Sequence, residues 1–157
     1  MKRRKMAMSS LDKPIVDLAI GVNHRILALW AADCAERVLP LFEELCPGDP
    51  RPRRAIEALR EWVRSGVFRM ADVRRTALDA HAAARDVQGN DAARSAARAA
   101  GQAMATAHVP THAIAAAIYA ATAFSDAAAT GDEVGATLRE REWQYHHLME
   151  LIGNTGS

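Results

Sequence analysis

The sequence predicts an all-α fold, a single-domain bundle of about six helices with alanine-rich, close-packed faces. Three observations lead there. Apolar residues recur at steps of three and four through most of the 157 residues, the spacing of one helix face. Alanine supplies most of the 50% hydrophobic share while only 5% of residues are aromatic, so helices must pack closely around small side chains. Runs of β-branched residues, the mark of strands, are missing. A chain of this length buries enough surface for one domain without cross-links. The expected organisation is a basic, partly disordered segment over 1–22, a helical domain over 23–152 and a disordered tail over 153–157.

The chain opens with MKRRKMAMSS, a basic run not followed by an apolar stretch, which reads as a solvated tail and not as a signal peptide or anchor. Residues 11–22 contain Pro14 and Gly21 and read as a loop or incomplete turn lying on the bundle. Over 24–45, Leu27, Trp30, Cys34, Val38, Leu41 and Leu45 mark one face of the first core helix, which Pro40 should kink or end. The proline-rich connection over 46–54 leads into a second helix, with Pro52 in its first turn, Ile56, Leu59 and Val63 inward, and Gly66 as its stop.

The third helix, over 70–87, turns Met70, Val73, Ala77, Leu78 and His81 inward. QGND breaks the pattern and offers Asp91 as N-cap for a fourth helix over 92–107, whose face of Ala93, Ala97, Ala100, Gly101 and Met104 is nearly without bulk. Pro110 separates it from a fifth helix over 111–129. A last helix over 133–152 carries a stripe of Val134, Leu138, Tyr145, Met149 and Ile152.

Charge is balanced at a formal +1, which argues against electrostatic capture of nucleic acid. No segment is apolar over the length a membrane span needs. Cys34 and Cys46 are twelve apart on what reads as one helix, too far along its axis for a disulfide within it; a reduced, cytoplasmic protein is the simpler reading. Cys34 lies on the core stripe and reads as inert packing.

The groups that could carry chemistry concentrate in ATAHVPTHAIAAAIYAATA, residues 105–123. His112, Tyr119 and Asp126 follow one another at intervals of seven and so share a helix face, lined by alanines that leave room for a ligand. Imidazole, phenol and carboxylate together could move protons and steady an oxyanion, or form an ordinary polar seam. His108 and His112 have the spacing of a metal pair, but Pro110 interrupts the helix between them, and HExxH and CxxC are both missing, so no metal and no cofactor is expected.

Asp33 flanks the apolar stripe of its helix, either paired with an arginine such as Arg53 or Arg85 or held in a pocket with a shifted pKa. His81 sits on an apolar face as a second candidate base or a hydrogen-bonded core residue. Trp30, Met104, Arg85 and Ile118 complete the expected substrate contacts. Arg51, Arg53, Arg54 and Arg60 crowd one helix start, either as solvated arginines paired with Asp49, Glu57 or Glu61 or as an anion clamp. The adjacent His146 and His147 read, with Trp143, as decoration of the last helix.

Three stretches, LALWAADCAERVLPLFE, DPRPRRAIEALREWV and AARSAARAAGQAMATAHV, resemble in their order the bacterial Imm-5-like putative immunity proteins, over roughly residues 23–129. The resemblance implies an all-helical cytoplasmic protein with an immunity role assigned from genomic context. It supplies no catalytic residues.

Two functions follow. The first is a small enzyme whose pocket binds an organic molecule, such as a secondary metabolite, and performs cofactor-free acid–base chemistry of the dehydration, conjugate-addition or cyclisation kind. His108 or His112 would be acid or base, Asp33 or Asp126 the partner, His81 a second base and Tyr119 the oxyanion donor. The alternative is a non-enzymatic immunity or resistance protein that binds a toxin domain or sequesters a toxic small molecule. The expected partners are thus a small molecule, a toxin protein or a second copy of the chain, with neither nucleic acid nor membrane.

Overall fold

A computed structural model describes residues 6–155. These residues form seven α-helices and no strand: α1 (Asp12–Ala19), α2 (His24–Glu43), α3 (Arg51–Ser65), α4 (Met70–Asp86), α5 (Asp91–Ala105), α6 (His112–Ala127) and α7 (Glu133–Thr155). The all-α class is as expected, with one helix more than the sequence suggested. The basic run before Met6 and the last two residues of the expected tail lie outside the described residues.

The additional helix is α1, where a loop or incomplete turn was expected. Its start is held by its own side chains: Ser9 N–H donates to Asp12 Oδ2 at 3.0 Å, and Asp12 adds a negative charge to the first turn. The side chain of Ile15 is fully buried, and the helix packs against α7. The segment before it is pinned by Ala7 N–H donating to Thr122 Oγ1 at 3.1 Å.

The centre of the bundle is α5. Its buried residues are Ala93, Ser95, Ala96, Ala97, Ala99, Ala100, Gly101, Ala103 and Met104, and α2, α3, α4 and α6 all pack on it. Faces made of Cβ atoms let helix axes approach to the short end of the usual range of about 8–10 Å. One helix can therefore be surrounded by four. Bulk comes instead from α2, which buries Trp30, Val38, Leu39 and Phe42. Pro40 neither ends nor divides α2. The helix continues to Glu43, and Pro40 still accepts a hydrogen bond from Glu44 N–H at 2.9 Å. Leu45, expected on the inner stripe, is exposed because the helix has ended before it.

The ends of the other helices follow local chemistry. Gly66 closes α3 at φ 70, the left-handed conformation expected of a glycine stop. The N-cap of α5 is Asn90, one residue before the expected Asp91, because the Asn90 side chain accepts from Ala93 N–H at 2.9 Å. Leu78 was expected inward and is 57% exposed; the buried face of α4 is Val73, Ala77, Ala80, Ala83 and Ala84. The arginines of α3 are mostly paired, Arg51 with Asp49 and Asp86, Arg53 with Glu43, and Arg60 with Asp33 and Glu36.

The largest departure is α7. Only part of its expected stripe touches the core: Tyr145 and Ile152 are half-buried, but Val134 is 81% and Met149 47% exposed, and the buried residues are Thr137, Glu140, Arg141, Gln144 and Leu148. Positions 137, 144 and 148 stand one residue before 138, 145 and 149, and one residue is about 100° of rotation. Partners distant in sequence account for the turn. Arg141 Nε donates to Asp12 Oδ1 at 3.1 Å and Nη1 to Gln144 Oε1 at 2.8 Å. Gln144 Nε2 donates to the Ala117 carbonyl at 2.9 Å, and Trp30 Nε1 to the Gln144 carbonyl at 2.9 Å. Arg37 binds both carboxylate oxygens of Glu140, at 2.8–3.0 Å. A polar ladder with its partners supplied by α1, α2 and α6 is buried in preference to a stripe of apolar side chains.

Candidate functional site

Three of the predicted residues meet in one recess. His81 projects from α4, His108 sits on the corner between α5 and α6, and His112 is the first residue of α6; with Met70, Val73, Arg74, Ala77, Leu78, Gln102 and Ala105 they line a space of about 210 Å³. The corner is built by hydrogen bonds that turn back on themselves: Val109 N–H to the Ala105 carbonyl at 3.0 Å and His112 N–H to the Val109 carbonyl at 3.1 Å. Pro110 breaks the helix here, as its missing N–H and fixed φ require, and the break brings His108 and His112 to the same recess.

Each imidazole has a distinct environment. His81 Nδ1 lies 3.0 Å from Arg98 Nη1; arginine can only donate, so this nitrogen is the acceptor and Nε2 carries the proton of the neutral ring. The His81 ring lies so close to Gly101 that a Cβ there would stand 2.7 Å from Nε2. Only glycine leaves the ring this place. Burial, then the charges of Arg98 and Arg85 and the neighbouring His112, lower the His81 pKa to about 4. His112 Nδ1 lies 2.7 Å from Gln102 Oε1; Nδ1–H is the donor, leaving Nε2 for another partner. His108 is exposed, its ring lying over Phe68 with centroids 6.2 Å apart.

The His81 environment has a measurable consequence. Its folded pKa is below the unfolded value of about 6.5, so between about pH 6.5 and 4 the unfolded chain takes up a proton that the folded chain refuses. Stability is fully present above that window and falls as pH drops through it. Allowing for partial solvent screening, the loss between about pH 7 and pH 5 due to this group is on the order of 1 kcal/mol. Urea unfolding of the protein and of His81→Gln at both pH values checks it: the variant keeps an acceptor for Arg98 and should show the smaller pH dependence.

The remaining predicted residues are elsewhere. His112 and Asp126 stand at opposite ends of α6, about 21 Å apart at 1.5 Å per residue, so the heptad spacing that puts them on one face cannot put them in one site. Asp126 accepts from Ser95 Oγ at 3.1 Å, and Tyr119 packs half-buried against the core midway between the two ends. The Trp30 side chain is fully buried, its indole N–H is used internally, and it lines neither the histidine recess nor the groove that holds Asp33. Met104 lines a different recess, between α3 and α4, beside Trp62 and Val73. Arg85 is exposed and acts on His81 only through its charge; Ile118 is half-buried on α6. Burial raises the Cys34 thiol pKa well above its ordinary value and leaves it inert as a nucleophile. Among the described residues, no group of three or more His, Cys, Asp or Glu is placed to hold a metal ion.

Asp33 belongs to a second, open groove of about 260 Å³ between α2 and α7, lined also by Glu36, Arg37, Trp143 and His147. Asp33 Oδ1 accepts from Arg60 at 2.8 Å, and its Oδ2 lies 2.7 Å from His147 Nε2. The arginine partner is thus neither Arg53 nor Arg85. His147 stacks on Trp143 with centroids 4.6 Å apart, and Arg37 lies over the same indole with Cζ 3.9 Å from the ring centroid. Burial raises the Glu140 carboxyl pKa by more than Arg37 lowers it, while the hydrogen bond to Glu140 strengthens the hold of Arg37 on its proton. His147, read from sequence as decoration, is a half-buried member of this groove. The signal was the spacing of Glu140, Trp143 and His147, three and four apart on one face.

The molecule is therefore an all-α bundle in which the recess at the histidine corner and the groove between α2 and α7 share no lining residue, and Tyr119 and Asp126 line neither. A family model described as Imm-5 like putative immunity protein matches residues 19–151. The chain belongs to this Imm-5-like family. Comparison with curated proteins and with solved structures gave no match. Among the described residues no helix is long and apolar enough to cross a membrane.

Proposed function

We propose that this protein is a non-enzymatic immunity protein that neutralises a toxin by binding it, acting in the cytoplasm. The observation that carries this reading is the family match across residues 19–151. The groove between α2 and α7 supports it as a candidate docking face. Protein interfaces concentrate their binding energy in a few Trp, Tyr and Arg residues held rigidly before the partner arrives. Trp143 is gripped between Arg37 and His147, and Arg37 is fixed by both oxygens of Glu140. The unpaired Cys34 and Cys46 agree with a reducing compartment.

Acid–base catalysis has less support, because Asp33, Tyr119 and Asp126 lie away from the recess that holds His81, His108 and His112. The test is co-expression with whatever toxin is encoded beside this gene, followed by size-exclusion chromatography. A stable stoichiometric complex and relief of toxicity are expected. Trp143→Ala should weaken that complex by at least about tenfold, the effect of losing a hot-spot side chain. Separate elution with undiminished toxicity would overturn the reading.

A further inference from the structure

The recess between α4, α5 and the α5–α6 corner has features that toxin binding in the α2–α7 groove does not use. Its walls are apolar along one side, where Met70, Val73, Ala77 and Leu78 face it from α4. Its titratable side chains are His81, His108, His112 and Arg74, and neither Asp nor Glu lines it. Arg98 and Arg85 add positive charge beside His81. The charged side chain that lines the recess is therefore a cation, which favours an anionic occupant. Arg74 and the imidazole nitrogens of His108 have no hydrogen-bonding partner among the described residues, and His112 Nε2 is left as an acceptor once Nδ1–H has bonded Gln102.

Size limits the occupant. An apolar cavity of about 150 Å³ accepts benzene, so a recess of about 210 Å³ accepts one ring with a small polar substituent. It is too small for a fused polycycle or a nucleotide. Arginine favours carboxylate over other small anionic groups that lack two coplanar oxygens, because its two N–H groups match them.

We propose that this recess is a binding site for a single-ring organic carboxylate, its ring lying against Met70, Val73 and Leu78 and its carboxylate held by Arg74 and by the N–H of His108, with the His112 ring beside it. The neutral His81 forms part of the wall, its ring seated against Gly101, where a Cβ would stand 2.7 Å from Nε2. The site is separate from the proposed toxin-binding groove, and the two readings fail independently.

The probes are benzoate and phenylacetate, with benzamide as the uncharged control, titrated into the full chain at neutral pH while the histidine ring C–H resonances are followed by NMR. Saturable binding of a carboxylate on the order of 1 mM or tighter is expected, with shifts at His108 and His112. Benzamide should bind at least about tenfold more weakly, the loss of one charge-assisted contact. Arg74→Ala should weaken benzoate at least about fivefold, and Leu78→Glu, which places a carboxylate at the rim, should abolish binding. Both positions are exposed, so both variants should melt like the parent protein. Failure of both carboxylates to saturate, equal affinity for benzamide, shifts confined to other faces, or unchanged affinity in both variants each overturns the proposal. The same variants should bind the toxin as the parent does, which separates a failure here from a failure of the immunity reading.

Discussion

Replacing Arg141 with alanine is expected to destabilise the fold by about 3–5 kcal/mol, the cost of removing one partner from a buried ion pair. Arg141 is 1% exposed, and it links three elements: its guanidinium joins Asp12 at the start of α1 to Gln144 on its own helix, which in turn binds the Ala117 carbonyl of α6. Burial lowers its pKa, and the neighbouring Asp12 carboxylate offsets part of that cost. Even in the native protein the pairing is incomplete. Nη2 lies 3.0 Å from Asp12 Oδ1 but makes no directed hydrogen bond. Truncation leaves Asp12 with Ser9 but without its cation, Gln144 Oε1 without its donor, and a void the size of the side chain. Arg141→Met fills the void without restoring the polar contacts and should recover part of the loss. Urea unfolding measures both. A parent-like stability for Arg141→Ala would show that the ladder does not hold α1 and α7 together. Against a typical total of about 5–15 kcal/mol, the expected loss makes the variant marginal.

Trp30→Ala is expected to cost a similar amount, about 3–5 kcal/mol, for a different reason. Its indole is fully buried in an alanine-rich core, and alanine neighbours have no side-chain length with which to fill the space. Alanine-rich helices already sit at close approach and have little further to move. Trp30→Phe keeps most of the volume and loses the N–H donated to the Gln144 carbonyl, for about 1 kcal/mol. The pair of variants separates a structural role from the substrate contact that the sequence suggested. A substrate contact would leave the melting temperature of Trp30→Ala near that of the parent; a core residue cannot.

Much of the fold was legible in the sequence. The helices from α2 to α6 follow from apolar periodicity, and Gly66 and Pro110 end or divide helices for reasons that belong to single residues. The nearly bulk-free face of α5 was visible as a run of alanines with Gly101 among them, and the close packing follows from it. The site was legible in part. His81, His108 and His112 do line one recess, because a proline corner and a glycine are local features that leave local room. Asp126 does not join them, since periodicity reports the face of a helix and says nothing of distance along it. His147 was passed over because its partner Asp33 is 114 residues away in the chain.

What the sequence by itself determined is the helical class, most helix boundaries, the thin core and the histidine corner, all set by interactions within a few residues. Tertiary structure alone decided which face of α7 is buried. Hydropathy favoured Val134, Leu138 and Met149, yet the side chains that went inside are Glu140, Arg141 and Gln144, because Arg37, Asp12 and the Ala117 carbonyl wait there to pair them. A buried polar group is acceptable only when its partner is present, and the partners here come from other helices.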